Sequence, residues 1–439
     1  MEIKRYPQVG ETLYKEVLDN GLVVYYLPKP DFHKTYGLFT TNFGSLDTTF
    51  VPRGSETMKT FPEGIAHFLE HKLFEKEAGD AMNFFGELGA NSNAFTSFSR
   101  TSYLFSTREQ VDKSVALLLD FVQEPYFTQP SVEKEQGIIT QEIQMYQDDA
   151  DFRLFFGLLQ NLYPNSPLAS DIAGTPQSIR EISADDLYDN YHTFYHPANM
   201  TLFLTGPFDV PSMATLVKKN QAQKKFGTVS DIKRAPFKPG KQVMSNSLYF
   251  DVTMPKLALG FRGYDTLPAE DLVRFEYKLA VQVMLTMLFG NTSSQYERLY
   301  NQGLIDDSFG FDFEVTPQYH FVSMTSDTLQ PIKLAKILRD TLKSYRIESD
   351  FNLAHLDMIK KELLGDYYKS LNSPEFIANQ FSSNLFDTVN FFDFPVMLSA
   401  LTIEKIAHYS DRFVKDMCAT EFILMPKQGE EDEDFVSEN

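Results

Sequence analysis

Length, composition and charge limit what this chain can be. Its 439 residues suffice for two or more domains with large cores, and 43% hydrophobic with 23% charged residues is typical of folded soluble proteins. The formal net charge of −20 excludes a general role in nucleic-acid binding, because phosphates require a basic surface.

The chain has no apolar run of the roughly 18 residues that span a bilayer, and no apolar secretory segment follows Met1. We therefore expect a cytoplasmic protein without a membrane span. Its one cysteine, Cys418, excludes an internal disulfide and a cysteine-based zinc site. Any metal must therefore bind histidine and carboxylate side chains.

Strands and helices mix along the first half of the chain without strict βαβ alternation. β-Branched and aromatic runs bounded by Gly, Pro or Asp predict strands, and apolar residues at helical spacing predict helices. The predicted strands are 22–27, 37–43, 88–97, 101–107 and 200–206. The predicted helices are 61–74 (the motif helix), 112–122, 130–146, 152–162 and 179–192. This order favours an α+β fold over a doubly wound parallel sheet.

The order of elements repeats after residues 221–245, a basic and polar stretch that predicts a linker. The second half has predicted strands at 257–262, 307–314 and 319–324, and predicted helices at 269–289, 330–345 and 352–371. Because residues 103–109 resemble residues 320–327, and a helix follows each, we infer a duplicated unit of about 200 residues. We expect an N-terminal domain of residues 1–220, a C-terminal domain of residues 246–427 and a disordered acidic tail of residues 428–439.

A His-x-x-Glu-His sequence on the motif helix is the strongest candidate for chemistry. Residues three and four apart share a helix face, so His67, Glu70 and His71 converge. Two imidazoles four residues apart can chelate zinc, and Glu70 is better placed to accept a proton from water than to bind the ion. Thr60 and Glu63 predict a capping box at the start of this helix. The competing interpretation is a surface helix that carries these residues by chance.

Two histidines leave a catalytic zinc ion one protein ligand short, and the missing ligand is expected to be a carboxylate. The predicted helix 130–146 offers Glu135 and Glu142, which lie two turns apart on one face. This spacing does not choose between them. Glu133, Glu75 and Glu87 stay open as well.

Three stretches in this order resemble the pitrilysin and insulysin (insulinase-like) family of zinc peptidases. They are the motif at 67–71, the stretch Gly-Ala-Asn-Ser-Asn-Ala-Phe-Thr-Ser at 89–97 and the glutamates at 135 and 142. The resemblance covers essentially the whole chain, and the length is similar to that of the short bacterial, YmfH-like members. It implies two homologous α/β-roll domains, each a mainly antiparallel sheet packed with helices.

The resemblance also implies roles for individual residues in the N-terminal, catalytic domain. One zinc ion per chain would be held by His67, His71 and Glu142. Glu70 would act as the general base, and Glu135 would steady the site from behind the ligands.

Four further positions bear on substrate binding. The resemblance implies that Asn93 and Ala94 lie on an edge strand that receives the peptide by β-augmentation. In the family, an arginine and, seven residues later, a tyrosine of the non-catalytic domain also reach the substrate. This sequence keeps the arginine as Arg298 but has Ile305 at the tyrosine position.

Short family members usually close a chamber by pairing two chains. We therefore predict a zinc-dependent endopeptidase that hydrolyses short unstructured peptides, leader or signal peptides among them, inside a two-chain chamber. The expected partner is a related subunit that lacks the motif and supplies the missing tyrosine. A homodimer in which Tyr300 or another group substitutes is the alternative. The competing function is a non-catalytic or slow peptide-binding subunit of a maturation complex.

Overall fold

A computed structural model describes residues 1–228, 231–383 and 389–427; the predicted acidic tail, residues 428–439, lies outside the described residues. The strands are β1 Glu2–Tyr6, β2 Glu11–Val17, β3 Val23–Pro28, β4 Thr35–Thr41, β5 Thr49–Phe50, β6 Lys59–Thr60, β7 Glu75–Lys76, β8 Gly79–Asp80, β9 Asn91–Thr96, β10 Thr101–Thr107, β11 Met200–Gly206, β12 Ser245–Phe250, β13 Lys256–Arg262, β14 Gly310–Val315, β15 His320–Asp327 and β16 Cys418–Pro426. The helices are α1 Ile65–Phe74, α2 Ala81–Glu87, α3 Val111–Gln123, α4 Gln129–Gln147, α5 Ala150–Leu162, α6 Pro176–Glu181, α7 Ala184–Phe194, α8 Val210–Ala222, α9 Asp271–Phe289, α10 Ser294–Asn301, α11 Pro331–Lys343, α12 Leu353–Ser370, α13 Pro374–Ser383, α14 Phe394–Ala400 and α15 Ile403–Asp416.

Two larger sheets repeat one strand order. The first has seven strands in the order β1-β2-β3-β11-β4-β10-β9, and the second has five in the order β12-β16-β13-β15-β14. Each has one parallel pair, β3 with β11 and β12 with β16, while the other pairs are antiparallel. The five strands of the second sheet therefore correspond to β3, β11, β4, β10 and β9 of the first. The predicted duplication and the mainly antiparallel α+β fold are confirmed.

Contacts divide the chain into two compact units. The first unit comprises Met1–Gln144, Ser170–Phe237 and Leu364–Val396, and the second comprises Met145–Ala169, Lys238–Leu363 and Met397–Asn439. Each unit contains one of the two larger sheets. Each also contains a helix that lies, in sequence, among the elements of the other unit, α13 in the first unit and α5 in the second. The predicted domains, residues 1–220 and 246–427, stay a prediction. The two units are defined by contacts between residues, and these contacts do not show where a duplicated unit begins in the sequence.

Both faces of the first sheet are covered by helices. Alternate side chains of a strand point to opposite faces. On β4, Phe39 therefore packs into the large core that includes the buried residues of α1 and α3, whereas Leu38 packs into a smaller core with Phe381 of α13. Every residue of β4 is buried, which explains why its sequence does not alternate between apolar and polar residues.

Helix α1 begins at a glycine and not at the predicted capping box. Thr60 lies in β6 and pairs with Thr49, and the side chain of Glu63 accepts a hydrogen bond from Ser170 Oγ at 2.7 Å. The N-cap is Gly64, with a φ of 89° and no side-chain cap. The capping-box prediction was wrong because Thr60 and Glu63, although correctly spaced, bond to residues of other segments.

Two further differences concern helix boundaries and missed elements. The predicted helix 179–192 is two helices, α6 and α7, because Ser183 caps α7 and so starts a new helix. The hairpin of β1 and β2 escaped prediction, since its strands mix charged and apolar residues. Among the described residues, none of the helices combines the length and the apolar character that a bilayer crossing requires.

Gly64 allows a prediction about the stability of the first unit. A Cβ added at Gly64 would lie 2.4 Å from the carbonyl oxygen of Ala173, in addition to the unfavourable positive φ. Gly64→Ala should therefore cost about 3 kcal/mol of unfolding free energy or more, combining a left-handed backbone with overpacking. Urea denaturation followed by circular dichroism measures the loss.

Gly89→Ala is the matched control. Gly89 also has a positive φ, 70°, but nothing lies within 4 Å of the added Cβ. Its substitution should cost only the backbone term, about 1 to 2 kcal/mol. Equal losses for the two variants would contradict the close approach at Gly64.

Candidate functional site

Helices α1 and α4 are held against each other by a shared apolar core. Phe68 and Leu69 of α1 and Ile139 and Ile143 of α4 are all buried in the large core of the first unit. Adjoining faces carry polar residues, His67 and His71 on α1 and Glu135 and Glu142 on α4. The two helices therefore present those residues to one another, although about 70 residues separate them in sequence.

Two histidines of α1 face one glutamate of α4. His67 Nε2 lies 3.7 Å from Oε1 of Glu142, and His71 Nε2 lies 3.5 Å from Oε2 of the same carboxylate. The centroids of the two imidazole rings are 4.5 Å apart. Each residue offers one ligand atom, and these three atoms lie within 4.8 Å of one another. The structure thus brings together the three predicted metal ligands.

The spacing of these atoms fits a zinc ion. Ligand atoms bound about 2.1 Å from a tetrahedral zinc ion lie about 3.4 Å apart. The nitrogen-to-oxygen distances of 3.5 and 3.7 Å are close to that value. Two imidazole nitrogens and one carboxylate oxygen also form a donor set typical of catalytic zinc sites, which keep the fourth position for water or substrate.

Glu135 lies behind His71 and outside the group of three. The tautomer of His71 that carries its proton on Nδ1 donates it to Glu135 Oε1 at 3.0 Å, which leaves Nε2 free on the side of Glu142. The geometry thereby separates two residues that their spacing alone left equivalent. Of the other open candidates, Glu133 and Glu87 are exposed, and Glu75 pairs with Lys72.

Glu70 is buried beside this group without belonging to it. Its side chain accepts a hydrogen bond from Thr96 Oγ1 at 2.6 Å. Burial raises the pKa of Glu70 to about 7, helped by the charge of Glu142 and opposed by the hydrogen bond from Thr96. A divalent cation at the histidines would favour the ionised carboxylate.

The two histidines differ in their electrostatic surroundings. Burial, together with the neighbouring His71, lowers the pKa of His67 to about 3, so its ring is neutral at physiological pH. Burial also lowers the pKa of His71, but the hydrogen bond with Glu135 and the nearby carboxylates outweigh it and leave that pKa raised. A carboxylate behind an imidazole makes the ring a more basic ligand.

The predicted peptide-binding residues lie on the edge of the first sheet. β9 pairs with β10 on one side and is the last strand in the order. The exposed Asn93 accepts a hydrogen bond from the backbone N–H of Ala94 through its own Oδ1 at 2.9 Å. Because Thr96 of the same strand contacts Glu70, this edge runs next to the motif.

Arg298 and Ile305 lie in the second unit and are described within it. Arg298 is exposed on α10, where its guanidinium donates to Gln295 Oε1. Ile305 is buried, so this position contributes to the core of its unit. Tyr300 is 47% exposed and stacks on Tyr296.

The sequence interpretation missed two residues that lie beside the motif. Thr96 was quoted within the resembling stretch but received no role. Lys72 is fully buried on α1, and its spacing of four from Phe68 and three from Leu69 could have marked it as facing the core. Its charge argued against that position, because lysine is rarely buried unless paired.

Family models match most of the chain. The model described as Insulinase (Peptidase family M16) matches residues 49–176, which include the motif and Glu142. The model described as Peptidase M16 inactive domain matches residues 181–363.

Individual relatives extend the likeness to nearly the full length. The chain is 44% identical over 404 residues to the zinc protease YmfH of Bacillus subtilis, covering 91% of this chain and 94% of the relative. It is 28% identical over 187 residues to the mitochondrial-processing peptidase subunit beta of Homo sapiens, covering 42% and 37%. An M16-like peptidase from Alicyclobacillus acidocaldarius has a TM-score of 0.89 and 32% identity, covering 95% of this chain and 99% of that one.

The contact between Glu135 and His71 predicts an effect on metal affinity. Glu135→Gln should weaken zinc binding by about 10- to 100-fold, since the ring loses the carboxylate that orients it. Competition with a zinc-chelating dye measures the dissociation constant. Glu133→Gln is the control, because Glu133 is exposed on the same helix and contacts Gln129. An unchanged affinity for Glu135→Gln would contradict the role of Glu135.

Proposed function

The chain belongs to the insulinase family, peptidase M16, and on this basis we propose that it is a zinc-dependent endopeptidase that hydrolyses short unstructured peptides. The observation that carries the proposal is that Nε2 of His67 and Nε2 of His71 lie 3.7 and 3.5 Å from the two carboxylate oxygens of Glu142 on another helix, beside the buried carboxylate of Glu70. In this proposal His67, His71 and Glu142 hold one zinc ion per chain, and Glu70 is the general base.

The proposed reaction is the addition of water to a peptide carbonyl. When bound, zinc supplies a Lewis acid that polarises the carbonyl and lowers the pKa of the attacking water. Glu70 accepts a proton from that water and passes it to the leaving amine, so its carboxylate is regenerated. The hydrogen bond from Thr96 to Oε2 of Glu70 fixes the carboxylate and leaves its other oxygen for the proton.

The substrate would bind as an added strand along β9. An extended peptide pairs with the backbone groups of an exposed sheet edge, which a folded segment cannot do. In the free chain, the side chain of Asn93 accepts from the N–H of Ala94. A peptide carbonyl would take over that N–H, and the released amide of Asn93 could then contact the substrate.

The requirement for an extended segment supports unstructured peptides as substrates, with leader and signal peptides among the candidates. We also propose that the peptide is hydrolysed inside a chamber formed by two chains, and the support for this is the family resemblance. A cytoplasmic location stays a prediction.

We further propose that the working enzyme is a heterodimer with a related subunit that lacks the motif. The support is local: Ile305 stands where the family has a tyrosine, and its side chain is buried. One relative is itself named as a subunit, mitochondrial-processing peptidase subunit beta. A homodimer in which Arg298 and the exposed Tyr300 of a second copy serve the site is the alternative.

A non-catalytic, peptide-binding subunit is the second candidate function. The match of residues 181–363 to a domain described as inactive favours it. That match does not include the motif or Glu142, both of which lie within residues 49–176. Peptidase activity is therefore the better supported of the two.

Glu70→Gln tests the proposed function. The amide cannot accept a proton, so hydrolysis should fall by at least about a hundredfold, while zinc binding is unchanged because Glu70 is not a ligand. Mass-spectrometric mapping of cuts in a peptide mixture measures turnover, and elemental analysis measures zinc.

Glu181→Gln serves as the control for this variant, since Glu181 is an exposed acid at the end of α6. The control should cleave as the wild type does. A Glu70→Gln protein that hydrolyses peptides at the wild-type rate would refute the general-base role.

The heterodimer makes a prediction of its own. Adding the motif-less relative should raise the rate of peptide cleavage by about tenfold or more, since donors to the developing oxyanion come from the partner. The rate is measured with and without the relative at equal concentration of this chain. If the chain alone cleaves as fast as the reconstituted pair, the heterodimer is wrong.

A further inference from the structure

Lys72, on α1, is a buried cation that the proposed mechanism does not use. Its side chain has 0% relative exposure. Lysine side chains are almost never fully buried unless an anion or strong acceptor compensates the loss of hydration. A fully buried lysine inside the motif helix therefore requires a reason.

The ammonium group of Lys72 reaches two partners in different segments. It donates to Oε2 of Glu75, one turn further along. It also donates to Ser131 Oγ, at 2.9 Å, in the first turn of α4. Ser131 Oγ in turn donates to the carbonyl oxygen of Thr128 at 3.0 Å, so the acceptor is itself fixed in place.

Ser131 lies on the face of α4 that carries the metal-site carboxylates. Glu135 follows it by one turn and Glu142 by about three turns, all within about 40° around the helix axis. On α1, the neighbours His71 and Lys72 contact Glu135 and Ser131 respectively. Two successive residues of one helix thus hold successive turns of the other.

We propose that Lys72 is a positioning residue that sets the placement of α4 relative to α1, and thereby brings the carboxylate of Glu142 to the two imidazoles. The inference rests on the proposed metal site and adds a residue that does not touch the metal. The pair of contacts, His71 with Glu135 and Lys72 with Ser131, fixes both the distance between the helices and the slide of α4 along its axis. A single contact would leave that slide free.

Stability alone gives little reason for a lysine here. Removing one partner of an ion pair is costly when the other charge stays buried, but the side chain of Glu75 is 39% exposed, so water can hydrate its carboxylate once the lysine is gone. The desolvation penalty of the buried ammonium disappears at the same time. Methionine has nearly the length of lysine and no charge. Lys72→Met therefore separates a positioning role from a purely structural one.

The experiment compares zinc affinity with stability in the full-length chain. Lys72→Met should weaken zinc binding by about tenfold or more, by analogy with other residues that orient metal ligands. The melting temperature of the metal-free protein should be unchanged or raised. Zinc affinity is measured by competition with a chelating dye, and melting by circular dichroism.

Ser131→Ala provides the second variant. It leaves the pair of Lys72 and Glu75 intact and removes the contact of Lys72 with α4, together with the local hydrogen bond from Ser131 Oγ to the carbonyl oxygen of Thr128. Zinc affinity should therefore fall in the same direction. The double variant should bind zinc no more weakly than Lys72→Met alone, because both changes remove one shared contact. If Lys72→Met fails to fold, the zinc affinity of Ser131→Ala decides.

Lys76→Met is the matched control. Lys76 lies four residues beyond Lys72 and donates to the carbonyl oxygen of Glu124, outside α4. Its zinc affinity should equal that of the wild type. Two results would overturn the inference. The first is wild-type zinc affinity in both Lys72→Met and Ser131→Ala. The second is a Lys72→Met protein that loses stability and zinc affinity together while Ser131→Ala binds zinc normally. A wild-type chain that binds no zinc would instead contradict the proposed function.

Discussion

The approach of α1 and α4 is the constraint on which the site depends. Neither helix carries all three proposed ligands, so the proposed site requires that the imidazoles of His67 and His71 meet the carboxylate of Glu142, at 3.7 and 3.5 Å respectively. Apolar burial brings the helices together, because both contribute to one core. Apolar contacts tolerate sliding, however. The polar contacts of His71 and Lys72 with α4 supply the directional restraint that a coordination geometry requires.

The same approach concentrates charge in a place of low exposure. Glu70, Glu135 and Glu142 converge on two imidazoles, and burial raises the pKa of Glu70 to about 7. A divalent cation would offset the repulsion among these carboxylates and favour their ionised forms. A metal ion bound by this arrangement would stabilise the fold, because the unfolded chain does not hold these side chains together. Glu70 accepts a hydrogen bond from Thr96 and lies outside the group of three, so the proposed mechanism assigns it the proton transfer.

Much of this arrangement was predictable from sequence, for identifiable reasons. The helical spacing of His67 and His71 depends only on local geometry, and β-branched and aromatic runs bounded by turn residues indicate strands. The motif and the repeated order of strands and helices could therefore be predicted. The spacing of Glu135 and Glu142 did not decide between them, because a spacing of seven puts both on one face. Only the family resemblance assigned the ligand role to Glu142, and the position of α1 separates the two in the structure. The capping box predicted at Thr60 and Glu63 was wrong because both residues bond to partners from other segments, which local spacing does not show. Lys72 escaped because its burial depends on Ser131, a residue 59 positions away.

The central claim is that one ion is held by side chains from both helices. Anomalous X-ray diffraction at the zinc absorption edge, on crystals of the zinc-loaded chain, locates that ion directly. The account predicts one peak per chain, about 2.1 Å from Nε2 of His67, Nε2 of His71 and a carboxylate oxygen of Glu142. A peak elsewhere, or one at the histidines with the carboxylate of Glu142 turned away, would contradict it.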